Sequence, residues 1–169
     1  YTPSRRGMTV TDYSILSGDK PEKSLLRAKK NSGGRNNLGR NTAKYRAGGN
    51  RRHIRIIDFR RRRDDEVAVV KSLQYDPNRS AFIALVQYPD KKLSYIIAPD
   101  GLTVGQTVIS GDSSEIRAGN CLALEKIPDG TMIHNIELIP GQRAKLVRAG
   151  GTSAQLMAKE GDNVIVRLP

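Results

Sequence analysis

The chain has 169 residues, 29 Lys+Arg against 17 Asp+Glu and a formal net charge of +12, with 37% hydrophobic residues, enough for one or two small domains. The surplus is local: residues 1–63 hold 18 basic and 4 acidic side chains, net +14, whereas residues 64–169 hold 11 and 13, net −2. That asymmetry asks for a polyanion; the absence of a long apolar segment or amphipathic basic helix argues against a membrane, one Cys rules out an internal disulfide, and two isolated His are too few for a zinc site.

Tyr1 to Lys30 reads as extended or irregular, punctuated by Thr2-Pro3, Ser17-Gly18-Asp19 and Lys20-Pro21, with one helical turn expected at Ser24–Lys30. Asn31 to Asn50 combines five glycines and five asparagines with Arg35, Arg40, Lys44 and Arg46. Too few apolar side chains exist there to offset ordering entropy. A plain linker has no need of that charge, and a glycine-rich backbone can follow a phosphate backbone closely, with Arg giving bidentate contacts and Asn neutral ones. A nucleic-acid arm is therefore favoured.

From Arg51 to Arg63 the arm becomes a strand while remaining basic. Alternation points Ile54 and Ile56 one way and Arg55, Ile57 and Phe59 the other, and Arg51, Arg52, Arg55, Arg60 and Arg61 are taken as further phosphate contacts. Val67 to Tyr75 alternates with Val67, Val69, Leu73 and Tyr75 on one face, and Ala81 to Tyr88 is almost continuously apolar, as a central strand would be. Between them Asp76-Pro77-Asn78-Arg79 fits a type I turn that displays Arg79 at the hairpin's mouth. Strands at Leu93–Ala98, Val104–Ile109 and Cys121–Glu125 complete a small barrel.

A second cluster of strands is expected at Thr131–Leu138, Lys145–Ala149, Ala154–Ala158 and Asn163–Leu168. His134 falls in the apolar row Met132, His134, Ile136, Leu138 and reads as a buried, hydrogen-bonded structural histidine. Arg148-Ala149-Gly150-Gly151-Thr152-Ser153 is a tight bend in which two glycines allow close backbone approach, while Arg148, Thr152 and Ser153 offer phosphate and 2′-hydroxyl partners. No phosphate-binding loop, dinucleotide fingerprint, nucleophile elbow or zincin helix occurs, so no catalytic residue, metal or cofactor is expected. Asp64-Asp65-Glu66 beside the arginines is a charge-balanced turn. Aromatics are scarce, which favours structured RNA recognised by shape and backbone over base stacking.

The motifs SRRGMTV (4–10), PEKSLL (21–26), GRNN-x-G (34–39), RIIDF (55–59), YDPNRSAFIAL (75–85), YIIAP (95–99), GN-x-LALE-x-IP (119–128), HNIEL-x-PG (134–141) and LVRAGGTSAQ (146–155) occur in an order and spacing that resembles the universal large-subunit ribosomal protein two (L-two) family in its bacterial form. The resemblance spans the chain. It implies a mostly β protein: a basic rRNA-binding extension over 1–50, an oligonucleotide-binding (OB) barrel over 51–127, and an SH3-like barrel over 128–169, incomplete at its C-terminal end. It also implies binding to large-subunit rRNA and other large-subunit proteins, support of subunit association and of the peptidyl-transferase region, and Arg79 and Arg148 as RNA contacts. Ribosomes of the mitochondrial matrix are favoured over those of bacterial cytoplasm or plastid. Members of the family continue past Asn163–Pro169 into the rest of the second barrel, so a separate chain carrying that part is expected as a partner. The competing expectation is a free-standing basic OB-fold translation factor or nucleic-acid architectural factor.

Overall fold

The computed structural model describes residues 2–46 and 48–169; Tyr1, which opens the extended stretch, and Ala47, within the basic arm, lie outside the described residues. Strand β1 (Leu26–Ala28) pairs antiparallel with β2 (His53–Arg55). Strands β3 (Ala68–Gln74), β4 (Ile83–Gln87), β5 (Leu93–Ile97) and β6 (Thr107–Val108) form an antiparallel sheet in the order β5-β4-β3-β6. Strands β7 (Met132–Ile133), β8 (Ala154–Glu160) and β9 (Asn163–Arg167) form a third sheet in sequence order. The fold is mostly β, as expected.

The apolar run at Ala81–Tyr88 is central because both of its faces are covered. Ile83, Ala84, Leu85 and Val86 are all buried. Ala84 and Val86 join Ala68, Val70, Leu73, Ile96, Leu102 and Val108 in one cluster, while Ile83 and Leu85 pack with Tyr95 under Leu25, Ile57 and Leu93. Leu25 and Ile57 flank the β1–β2 ribbon, so the basic arm is rooted in the core at the second face.

The face assigned to β3 needs correction. Val70 pairs with Val86 and Ser72 with Leu85, so Lys71 is an extra residue in a β-bulge. The bulge shifts the alternation by one, placing Leu73 on the face of Ala68 and Val70. Val67 and Val69 remain about two-fifths exposed, and Ser72 and Gln74 are buried on the opposite face. These polar groups are satisfied: Gln74 Nε2 donates to Ser72 Oγ at 2.9 Å, and Tyr95 Oη donates to Gln74 Oε1 at 2.8 Å. The Glu22 amide donates in turn to Tyr95 Oη at 2.9 Å.

The basic segment after β2 closes the sheet into a barrel. Ile57 forms a parallel bridge with Tyr95 on the β5 edge, and Asp64 forms one with Ser110 just beyond β6. Asp58 N donates to Tyr95 O at 2.8 Å and Asp65 N to Ser110 O at 2.7 Å. One stretch of about seven residues therefore spans from one edge of the sheet to the other. Its side chains alternate as expected, with Ile54 and Ile56 exposed and Arg55, Ile57 and Phe59 turned inward.

Other strands are shorter than their apolar patterns suggest, because a strand exists only where a ladder partner reaches it. Val104–Ile109 is a regular strand only at Thr107–Val108, since Gly105 takes φ +89° in a turn. Cys121–Glu125 reduces to a bridge at Cys121 followed by a 3₁₀ turn at Leu124–Lys126. The helical turn expected at Ser24–Lys30 is a 3₁₀ turn at Lys23–Leu25 that runs straight into β1. The N-terminal stretch is also less free than expected: Tyr13 packs on Tyr75 and Phe82, with ring centroids 5.7 and 5.9 Å apart, and Ser17 N donates to Leu73 O at 3.0 Å.

In the C-terminal part, Thr131–Leu138 is a strand only at Met132–Ile133. Asn135 sits at φ +56° and donates its amide to Val147 O at 2.9 Å, and Val147 itself sits at φ +53°. Those two left-handed residues break both expected strands, leaving an Ile136–Leu146 bridge between them. Met132 and Leu138 are consequently exposed, at 59% and 62%, while Ile136 is buried.

His134 is half-buried, and no hydrogen bond to its ring is found among the described residues, which corrects the expectation of a buried, bonded histidine. Burial, and secondarily the charge of Arg61, holds its imidazole below the ordinary value of 6.5. The unfolded chain therefore takes up a proton near pH 6.5 that the folded chain refuses. The stability linked to His134 is full above that pH and falls as pH drops toward the folded value. Denaturation midpoints measured from pH 7 to pH 5 should fall less steeply for His134→Gln than for the parent chain.

Candidate nucleic-acid interface

The turn between β3 and β4 is built on a buried carboxylate. Arg79 N donates to Asp76 O at 3.3 Å, the closing bond of the expected turn, and Asp76 Oδ1 accepts from Asn78 N at 2.9 Å. Asp76 is fully buried, and its Oδ2 accepts from Arg79 Nε at 2.6 Å, with Arg55 Nη1 3.8 Å from Oδ1. A charge in that position needs paired donors, and Asn78 and Arg79 supply them while Arg55 adds a nearby positive charge. Arg79 is thus not displayed outward as expected. Its side chain lies back against Asp76, 19% exposed. Its Nε is committed to Asp76, and the side chain as a whole keeps only this partial exposure.

The bend at Arg148–Ser153 comes to the same place. Arg148 lies over the ring of Phe59, with Cζ 4.9 Å from the centroid, and Arg79 approaches the same ring at 5.8 Å. Gly150 N donates to Ser80 Oγ at 2.9 Å, and a Cβ on Gly150 would meet the Ser80 carbonyl oxygen at 2.7 Å. The first glycine of the pair is therefore required by contact with the barrel. Gly151, at φ +73°, is required by the turn. Arg148 and Ser153 are exposed, and Thr152 is half-buried with its hydroxyl donating to Ala149 O at 2.7 Å.

The arm approaches this pair of turns through β1 and β2. Asn78 Nδ2 donates to His53 O at 2.8 Å, Arg52 Nη1 to Pro77 O at 3.0 Å, and Lys29 Nζ lies 3.4 Å from Asn78 Oδ1. Lys29, Arg51 and Arg52 line a cleft with Asn31, Gly48, Gly49 and Asn50, where the glycines leave the backbone open. Farther out, residues 34–43 fold into a local hairpin: Thr42 N and Ala43 N both donate to Gly34 O, and Arg35 bridges Asn41. Gly34, at φ +78°, has no room for a Cβ beneath the Ala43 carbonyl.

The asparagines do something other than expected. Asn36 Oδ1 accepts from Leu38 N and Arg40 N, and Asn31 bonds Gly33 N and Gly48 O. Their side chains tie the loop to itself, which leaves Arg35, Arg40, Lys44 and Arg46 exposed.

The structure gathers Arg51, Arg52, Arg79, Arg148, Thr152 and Ser153 around one edge and places Arg35, Arg40, Lys44 and Arg46 on the neighbouring arm. It turns Arg61 away from that edge, against the expectation of an accessible side chain. Arg61 is 8% exposed, with Nε donating to Ser110 Oγ at 3.0 Å and Nη1 to Gly119 O at 3.1 Å, because it lies inside the closing segment of the barrel. Arg55 is also largely withdrawn, 11% exposed beside Asp76. Arg60 is exposed, but its Nε donates to Gln142 O at 3.2 Å. Sequence reasoning missed Phe59, Asp76 and Asn78, which hold the arginines in place. The Asp-x-x-Arg spacing of the turn was the available signal for Asp76; for Phe59 there was none, since its two partners are 20 and 89 positions away.

Comparison with protein families gives two matches in tandem. Residues 22–110 match the model described as Ribosomal Proteins L2, RNA binding N-terminal domain, and residues 117–169 match Ribosomal Proteins L2, C-terminal domain. The first covers the arm from Glu22, the closing segment and all four strands of the barrel; the second covers the sheet that carries the Arg148 bend.

Proposed function

Since this chain belongs to the ribosomal protein L2 family, and so is an RNA-binding protein of the large ribosomal subunit, an OB barrel followed by an SH3-like part, we propose that it anchors large-subunit rRNA along the edge where the two turns and the arm meet. The observation that carries this reading is the convergence of Arg79 and Arg148, from turns almost seventy residues apart, on the single ring of Phe59. Two cations held on one ring suit the phosphates of a structured RNA, and Thr152 and Ser153 beside them offer hydroxyls to the ribose. Arg51 and Arg52 carry the contact into the glycine-floored cleft, and Arg35, Arg40, Lys44 and Arg46 extend it along the arm.

Support of subunit association and of the peptidyl-transferase region follows in this reading from rigid placement of rRNA, with no chemistry by the protein. The division at 1–50, 51–127 and 128–169 is supported by Arg61, Ser110 and Gly119, which tie residues 110–121 to the first barrel. The outer edge of β9, where Ile165 is about half exposed, suits a strand from a separate chain of the particle. A mitochondrial ribosome is the proposed setting.

Sedimentation of a tagged chain in lysate tests the reading. Co-migration with large subunits that survives moderate salt is expected. A free soluble pool would instead support a free-standing factor.

A further inference from the structure

We propose that Arg60-Arg61-Arg62-Arg63, four consecutive arginines, is an internal fastener that positions the RNA-contacting turns and does not itself take phosphate; the inference rests on the RNA-binding reading above. Each guanidinium has its own intramolecular partner. Arg60 Nε donates to Gln142 O at 3.2 Å and Arg62 Nη2 to Gly141 O at 3.1 Å, two adjacent carbonyls of one turn. Arg61 points the other way, into Ser110 Oγ and Gly119 O. Arg63 donates to Glu66 and Asp90, both at 3.1 Å, and lies 4.4 Å over the ring of Tyr88.

The backbone explains how one run serves opposite directions. Asp58 Oδ1 accepts from Arg60 N at 3.0 Å and Arg61 N at 2.9 Å, and Arg61 takes φ +49°, so the chain turns sharply there. Directly before the run, Phe59 O accepts from Ala144 N at 3.0 Å, and Ala144 is 1% exposed. Phe59, Arg60 and Arg62 therefore grip residues 141, 142 and 144 in succession. That grip lies four residues ahead of Arg148 and begins at the ring on which Arg79 and Arg148 meet. It sets the separation of the two turns, and the fixed fork of N–H directions in each guanidinium suits the single carbonyl it meets, Gln142 O for Arg60 and Gly141 O for Arg62.

Counterion release distinguishes a positioning arginine from a contacting one. Each neutralised phosphate contributes about 0.7–0.9 to the slope of log affinity against log salt. For Arg60→Ala/Arg62→Ala, hydrogen exchange at the Ala144 amide of the free protein should accelerate at least about tenfold, while amides of β3 and β4 keep their protection. Affinity for purified large-subunit rRNA should fall about tenfold with the salt slope unchanged. A slope shallower by about 1.5 with Ala144 still protected would overturn the proposal, as would no change in either measurement. Should that variant unfold, Arg60→Lys/Arg62→Lys keeps the charge without the fork. It should lose Ala144 protection and affinity together, and wild-type affinity with Ala144 unprotected would count against the fastener. If the parent chain fails to bind the rRNA, the functional reading falls, and the Ala144 exchange still decides the fastener.

Discussion

Arg79→Ala is expected to weaken rRNA binding and the fold together, whereas Arg148→Ala weakens binding alone. Each removes a charged donor from the proposed interface, a loss of roughly 1–3 kcal/mol in RNA affinity. Their structural surroundings differ. Arg79 is the closest partner of Asp76, which is fully buried, and without it that carboxylate keeps, among the described residues, Asn78 and the charge of Arg55, 3.8 Å away. Breaking a buried pair by removing one member costs about 3–5 kcal/mol, and the remaining partners together with partial exposure of Arg79 should bring this to about 2–3 kcal/mol. Arg148 is exposed and stacks on Phe59, so its removal should cost less than about 1 kcal/mol of stability. Denaturant midpoints measured beside affinities separate the two. Equal stability of both variants would show that Asp76 does not depend on Arg79.

The largest change in salt dependence should come from the arm. Replacing Arg35, Arg40, Lys44 and Arg46 together by Ala is expected to make the slope of log affinity against log salt shallower by about 3, with a loss of affinity of several orders of magnitude at low salt. The hairpin that presents Arg35 and Arg40, with Lys44 and Arg46 just beyond it, is held by Gly34 O, Asn31 and Asn36 and buries almost nothing else, so the variant should fold as before. Ordering the rest of the arm must be offset by phosphate contacts, and the amides of residues 31–33, 44–46 and 48–50, outside that hairpin, should gain exchange protection only when RNA is added. An unchanged slope would mean that the arm's charge faces solvent in the bound state.

The composition of the first third was enough to identify a polyanion partner, because net charge survives any folding. The central strand was legible too, since residues buried on both faces have to be apolar throughout, as Ile83–Val86 are. Turns were legible where chemistry dictates backbone: Asp76-Pro77 and Gly150-Gly151 sit in the bends that their residue types require. The family motifs extended this to two successive barrels.

What the sequence could not determine was which arginines are available. Arg61 in its charge run and Arg79 in its turn both look available, and both are drawn inward by Ser110, Gly119 and Asp76, contacts 49, 58 and 3 residues away. Alternation likewise assumes an unbroken ladder, and the bulge at Lys71 inverts it midway along β3, while Asn135 and Val147 end two apolar patterns by turning left-handed. The meeting of Arg79 and Arg148 on Phe59 belongs wholly to tertiary structure. Local sequence sets local geometry and net charge, but the direction in which a long cationic side chain spends its hydrogen bonds depends on which carbonyls and carboxylates the fold brings within about 3 Å of it.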